Sequence, residues 1–153
     1  MARAKASLMK INFYLAARLA DINLASSLIA RISSIESYAC TYDWTLSGSL
    51  IGADPQKLAE VAEAESDGVR RSDVLFFLSP GARGSHVEFG IAVAKRIPIV
   101  ILYREEEKSS RPSSVFYHLP QVSAHRLGSD VENDSFFMTL AGELQWAERL
   151  RQS

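Results

Sequence analysis

One carboxylate, Glu88, stands between Val87 and Phe89 in the run SPGARGSHVEFGIAVAKRIPIVILY, Ser79 to Tyr103, at the mouth of a segment that reads as a buried helix. Two readings compete for it. Ser85-His86-Val87-Glu88 fits the S-x-x-E capping box, in which Ser85 caps the helix and Glu88 bonds back to the Ser85 amide, worth about 1 kcal/mol. The other reading is a chemical role. Beside it, Ser79, Arg83, Ser85 and the amides of Gly81 and Gly84 form a small cationic nest suited to an anionic oxygen, although Gly-rich loops at helix starts are common.

The totals narrow what such a site can serve. A chain of 153 residues, 47% apolar, supports one domain with a real core. Residues 10–153 are expected to form it, behind a loose N-terminal leader over residues 1–9. Seventeen Lys and Arg against 18 Asp and Glu leave a net charge of -1, with no global field for nucleic acid or an anionic membrane. A small ligand is the expected partner. Cys40 is the only cysteine, which excludes an intramolecular disulfide and a multi-Cys zinc site and suits a reducing cytoplasm. His86, His118 and His125 lack metal-ligand spacing, so neither a metal nor another cofactor is implied.

Apolar runs of strand length alternate with helix-period segments, the pattern of a parallel sheet covered by helices on both faces. KINFYLA (10–16), SYACTYDW (37–44), DVLFFLS (73–79), IPIVILY (97–103) and PQVSAHRL (120–127) read as strands. Helices are expected over 21–35, from Asp54 as N-cap with Pro55 in the first turn to about Ser72, after PGARG, and over 134–153, where Trp146 reads as core or subunit contact. REEEKSSRPSS reads as a solvated loop. The expected fold is α/β, a flavodoxin-like, doubly wound, five-stranded parallel sheet, in which ligands bind beyond the carboxyl ends of the strands. Tyr14, Asp43, Trp44 and the Ser79 to Gly84 loop all fall at that edge.

In order along the chain, FYLAAR, VRRSDVLFFLS, RGSHVEFGIAVA and VFYHLPQV resemble the nucleoside 2-deoxyribosyltransferase family, including its nucleotide N-glycosidase relatives. The resemblance covers roughly residues 10–127. It implies a homodimer or homotetramer that cleaves the bond between a sugar C1′ and a base through a covalent glycosyl-enzyme intermediate. It makes Glu88 the nucleophile, Tyr14 the residue that orients it, and Glu65, eight positions before Asp73, the group that bonds the base or assists its departure. Glu65 stands where the family has aspartate, and Asp67 is close by. The physics suits a carboxylate: breaking an N-glycosidic bond puts oxocarbenium character on the sugar, which an anion can stabilise and then bond. A place in the first helical turn would keep Glu88 ionised, with Val87, Phe89 and Ile91 limiting water.

The same resemblance places Arg18 near the sugar or a 5′-phosphate, and lets Ser79, Gly81, Arg83, Gly84 and Ser85 hold that phosphate. His86 can donate to a ligand oxygen, Trp44 can stack on a base, and Tyr117 and His118 can reach sugar hydroxyls. Each has a plainer alternative in packing, capping or solvation. Ala82 replaces the aspartate by which the transferases recognise the base, which favours hydrolysis over transfer. Three functions remain open: an N-glycosidase acting on a nucleoside 5′-monophosphate or deoxynucleoside, a deoxyribosyltransferase, and a non-catalytic nucleotide-binding oligomer.

Overall fold

The structure is a computed structural model that describes residues 9–104, 114–131 and 133–153. Most of the expected leader and most of the charged loop after Tyr103 lie outside the described residues. Five strands, β1 (Ile11–Ala16), β2 (Tyr38–Cys40), β3 (Val74–Leu78), β4 (Ile99–Tyr103) and β5 (Val122–Arg126), pair in parallel in the order β2-β1-β3-β4-β5. Register is set by pairs such as Tyr14 with Leu75 and Ala16 with Phe77. This is the doubly wound, flavodoxin-like α/β arrangement expected from the sequence.

Among the described residues four α-helices flank the sheet: α1 (Ile22–Ser33), α2 (Pro55–Arg70), α3 (Arg83–Ala94) and α4 (Ser135–Gln152). The period-2 alternation of the strands divides the core. Phe13, Leu15, Phe76 and Leu78 pack with Leu28 and Ile32 of α1 and Phe137 of α4, whereas Tyr14, Ala16, Leu75 and Phe77 pack with Val69 of α2 and Phe89 of α3. β3 is buried at every position, as a central parallel strand must be. Asp54 caps α2 by accepting from the Lys57 amide at 2.8 Å, with Pro55 behind it, as the sequence predicts.

One expectation fails, and another, Trp146 as core or subunit contact, loses its first half. The second strand is only three residues long, because Asp43 turns the chain by accepting from the Thr45 amide and Trp44 enters a 3-10 turn. Trp146 is 61% exposed and is not core, since α4 directs Phe137 and Ala141 at the sheet instead. No helix among the described residues is long and apolar enough to cross a membrane.

Candidate functional site

The strand order puts a reversal at β1. From there the chain winds outward to β2, then returns past β1 to β3, so the crossovers diverge between the carboxyl ends of β1 and β3 and leave a crevice there. α3 leaves that crevice after the loop that follows β3. It begins at Arg83, with Ala82 at the N-cap, three residues earlier than a capping box at Ser85 requires. Ser85 therefore occupies the third helical position: its hydroxyl accepts from the Ala82 amide at 2.7 Å and donates to the Ala82 carbonyl at 3.0 Å. Ala82 has no side-chain oxygen to return the bond. The Ser85–Glu88 capping box does not form.

Glu88 thereby moves into the second turn of α3, freed from any capping duty. Its residue is 7% exposed. It meets Tyr14, fully buried on β1, whose hydroxyl favours the carboxylate anion across the gap; yet neither Tyr14 Oη nor Glu88 Oε2 completes a hydrogen bond of ordinary geometry. Desolvation by burial dominates the balance and pushes the Glu88 carboxyl up to about 8, with Tyr14 opposing the rise and the charge of Glu65 adding to it. The expectation that the helix start keeps Glu88 ionised is corrected here, because the macrodipole fades beyond the first turn. Val87 is also exposed and excludes no water, leaving Phe89 as the buried neighbour. The Tyr14 hydroxyl is itself raised far above its usual range, chiefly by burial and next by Glu88.

Glu65 reaches the same space from α2. It is half-buried, close enough to act electrostatically on both Tyr14 and Glu88, and its own carboxyl is raised by burial. Asp67, two residues on, is turned to solvent and held by Arg71 Nε at 2.8 Å. The helix period separates the two carboxylates by about 200° around α2. Three titratable side chains, Glu88, Tyr14 and Glu65, thus share one largely dry space with no cation among the groups that shift them.

The nest is only partly as expected. Ser79 is buried and its amide continues the sheet by donating to the Leu102 carbonyl at 2.8 Å. The Ser85 hydroxyl is spent on Ala82. Gly81 holds a φ of +69°, and a Cβ there would lie 2.5 Å from Phe77, so glycine is required for the turn. Arg83 and Gly84 are exposed, at the start of α3 where the first amides have no partner within the helix.

The rim is built from residues that lock one another in place. His86 Nδ1 donates to the Ala82 carbonyl at 2.7 Å, which leaves Nε2 to accept from the Tyr117 hydroxyl at 2.5 Å. The Tyr117 ring lies against Phe77 and Phe89, next to Glu88 on α3, while His118 is exposed. Trp44 donates its indole N–H to the Leu15 carbonyl at 2.7 Å and stands half-buried against both halves of the core. On the other flank Arg18 Nε donates to Asp21 at 2.7 Å, and Arg104, just past β4, donates to the second oxygen of the same carboxylate.

The protein shares its fold with two solved structures. A CMP N-glycosidase of Clostridium botulinum, BcmB, superposes with a TM-score of 0.51 at 16% identity, over 84% of this chain and 94% of that one. A conserved protein of Enterococcus faecalis V583 gives 0.50 at 18% identity, over 90% and 99%. The likeness is one of fold. No family model and no curated protein matches the sequence.

Sequence reasoning missed Asp21, Arg104, Thr41, Tyr42 and Gly68. Asp21 and Arg104 are distant in sequence, and only the parallel order of β1, β3 and β4 brings their loops together. Gly68 carried a signal: a glycine inside a helix costs about 1 kcal/mol against alanine and asks for a packing reason.

Proposed function

We propose that the protein is an N-glycosidase acting on a nucleoside 5′-monophosphate or a deoxynucleoside. The observation that carries this reading is Glu88: a buried carboxylate with an unpartnered oxygen, facing Tyr14, at the crevice where this fold binds ligands. A buried group left unsatisfied is costly, and an electrophilic sugar carbon would relieve that cost. The fold shared with a CMP N-glycosidase supports the substrate class.

In the proposed reaction an oxygen of ionised Glu88 attacks C1′. The C1′–N bond breaks and its electron pair leaves with the base, which takes a proton from Glu65 or from water. Water then bonds to C1′, the ester C–O bond breaks, Glu88 returns as carboxylate, and the water's proton passes to Glu65 or, where water protonated the base, to the hydroxide left behind. Burial raises the Glu65 carboxyl above its ordinary range, which suits both proton transfers. Tyr14 orients Glu88 and holds its charge. The first amides of α3, Arg83 and Arg18 would take a 5′-phosphate, with Trp44, His86, Tyr117 and His118 lining the sugar and base. Ala82 favours water over a second base as acceptor. Val115 and Phe116, exposed beside Tyr117, suit a homodimer or homotetramer, and the single cysteine suits the cytoplasm.

The test is release of free base from a panel of nucleosides and 5′-monophosphates, with and without an acceptor base. Release without acceptor supports hydrolysis. Release only with acceptor replaces it by sugar transfer, and binding with no release overturns it in favour of a nucleotide-binding module.

A further inference from the structure

Gly68 lies buried in the last full turn of α2, one turn beyond Glu65. Alanine is the better helix former, so the local preference is against glycine here. Packing gives the reason. A Cβ at residue 68 would sit 3.1 Å and 3.2 Å from Cδ2 and Cε2 of Tyr14, and 2.9 Å from Cβ of Tyr42. The other helical glycines, Gly84, Gly90 and Gly142, have nothing within 4 Å of such an atom, so the close fit is particular to this position.

Thr41 fastens the contact. Its hydroxyl donates to the Gly68 carbonyl at 2.7 Å, and its amide donates to the Phe13 carbonyl at 2.9 Å, the residue before Tyr14. The end of α2 is thereby tied to β1 at the point where the Tyr14 ring leaves the strand. That ring is fully buried. We propose that Gly68 is a positioning residue, whose missing side chain lets α2 seat the Tyr14 ring so that its hydroxyl faces Glu88. The inference rests on the reading of Tyr14 and Glu88 as the reactive pair and adds to it the element that sets their separation. Tyr14 Oη and Glu88 Oε2 have no hydrogen-bond partner, so whether they meet depends on how closely α2 lets the ring sit.

The test reads Glu88 directly. Carboxyl-13C glutamate labelling, with Glu88→Gln to identify the signal, follows the ionisation of Glu88 by NMR without any turnover. The titrations are made in a Glu65→Gln background, so that a movement of α2 cannot act through the Glu65 charge. Gly68→Ala is expected to raise the Glu88 midpoint by about one pH unit, as Tyr14→Phe does, and the double variant to add nothing further. Where base is released, kcat at pH 7 falls by roughly tenfold with KM little changed. A folded Gly68→Ala protein with an unmoved midpoint, or shifts that add in the double variant, overturns the inference. If Gly68→Ala does not fold, Tyr14→Leu is added: restored folding assigns the space to Tyr14, and continued failure assigns it to Tyr42 and overturns the inference. A wild type that cleaves no nucleotide sinks the glycosidase reading, while the titration still decides this one.

Discussion

Among the described residues two carboxylates are nearly closed to solvent, Asp21 at 5% and Glu88 at 7% exposure, but Asp21 lies just beneath the surface and Glu88 deep, and they have opposite fates. Burial raises the Asp21 carboxyl, but hydrogen bonds from Arg18 and Arg104, with their charges, outweigh it and hold the group below its ordinary value of 3.8. Glu88 meets burial with a tyrosine hydroxyl and a second carboxylate, and is driven up to about 8. Desolvation acts on both. The difference is depth together with whether the fold supplies compensating positive charge: where it does, the carboxylate stays charged, and where it does not, burial favours the neutral form.

The widest test of that contrast is Glu88→Gln. Base release is expected to fall by roughly 10⁴-fold or more, because no nucleophile remains. The same variant should gain stability. The folded-state value of Glu88 lies above its unfolded value of 4.5, so its contribution to stability is fully present below 4.5 and lost as pH rises through about 8. Thermal melts should therefore show the glutamine variant matching wild type at pH 5 and exceeding it by roughly 5–10 °C at pH 8.5. An unchanged difference across that range would remove Glu88 from its buried, uncompensated place.

Asp21→Asn should do the reverse. It leaves two guanidiniums without their carboxylate and is expected to cost about 2 kcal/mol at pH 7 by chemical denaturation, less than for a fully enclosed pair because Arg18 and Arg104 reach solvent. The folded-state value is depressed, so this stability is present above 3.8 and is lost as pH falls through the lower folded value. The gap between the variant and wild type should close on acidification.

Smaller effects follow from the neighbours of Glu88. The dependence of kcat/KM on pH should climb to a plateau with its midpoint near 8, since the attacking form is the anion. Tyr14→Phe should move that midpoint upward and lower the rate at pH 7 by about 10- to 100-fold. Glu65→Gln should move it downward by a fraction of a unit, because a like charge is removed. A midpoint at an ordinary carboxylate value, near 4.5, would show that Glu88 is solvated in solution and would erase the contrast with Asp21.

Much of the fold was legible because it rests on short-range pattern. All-apolar β3, the Asp54-Pro55 helix start and the glycine turn before α3 each follow from residues within one element. The candidate site was legible only in outline. Ser85 and Glu88 fit a local capping rule, but the helix starts three residues earlier, where Ala82 supplies no side-chain cap and Ser85 reaches back to it. The helix period by itself separates Glu65 from Asp67, but only the packed structure shows that one acts on Tyr14 and the other is held by Arg71.

By itself the sequence determined which segments become strands and helices, because hydrophobic period and turn chemistry act over a few residues. It also determined that a glutamate, a tyrosine and a glycine loop fall near the ligand edge of a parallel sheet. Tertiary structure alone decided the charge states. Whether a buried carboxylate finds a guanidinium or only a hydroxyl depends on residues up to 83 positions apart in the chain, as Asp21 and Arg104 are, and on how closely a helix can approach a strand. Those distances arise from packing, and electrostatic energy in a dry interior depends on them steeply.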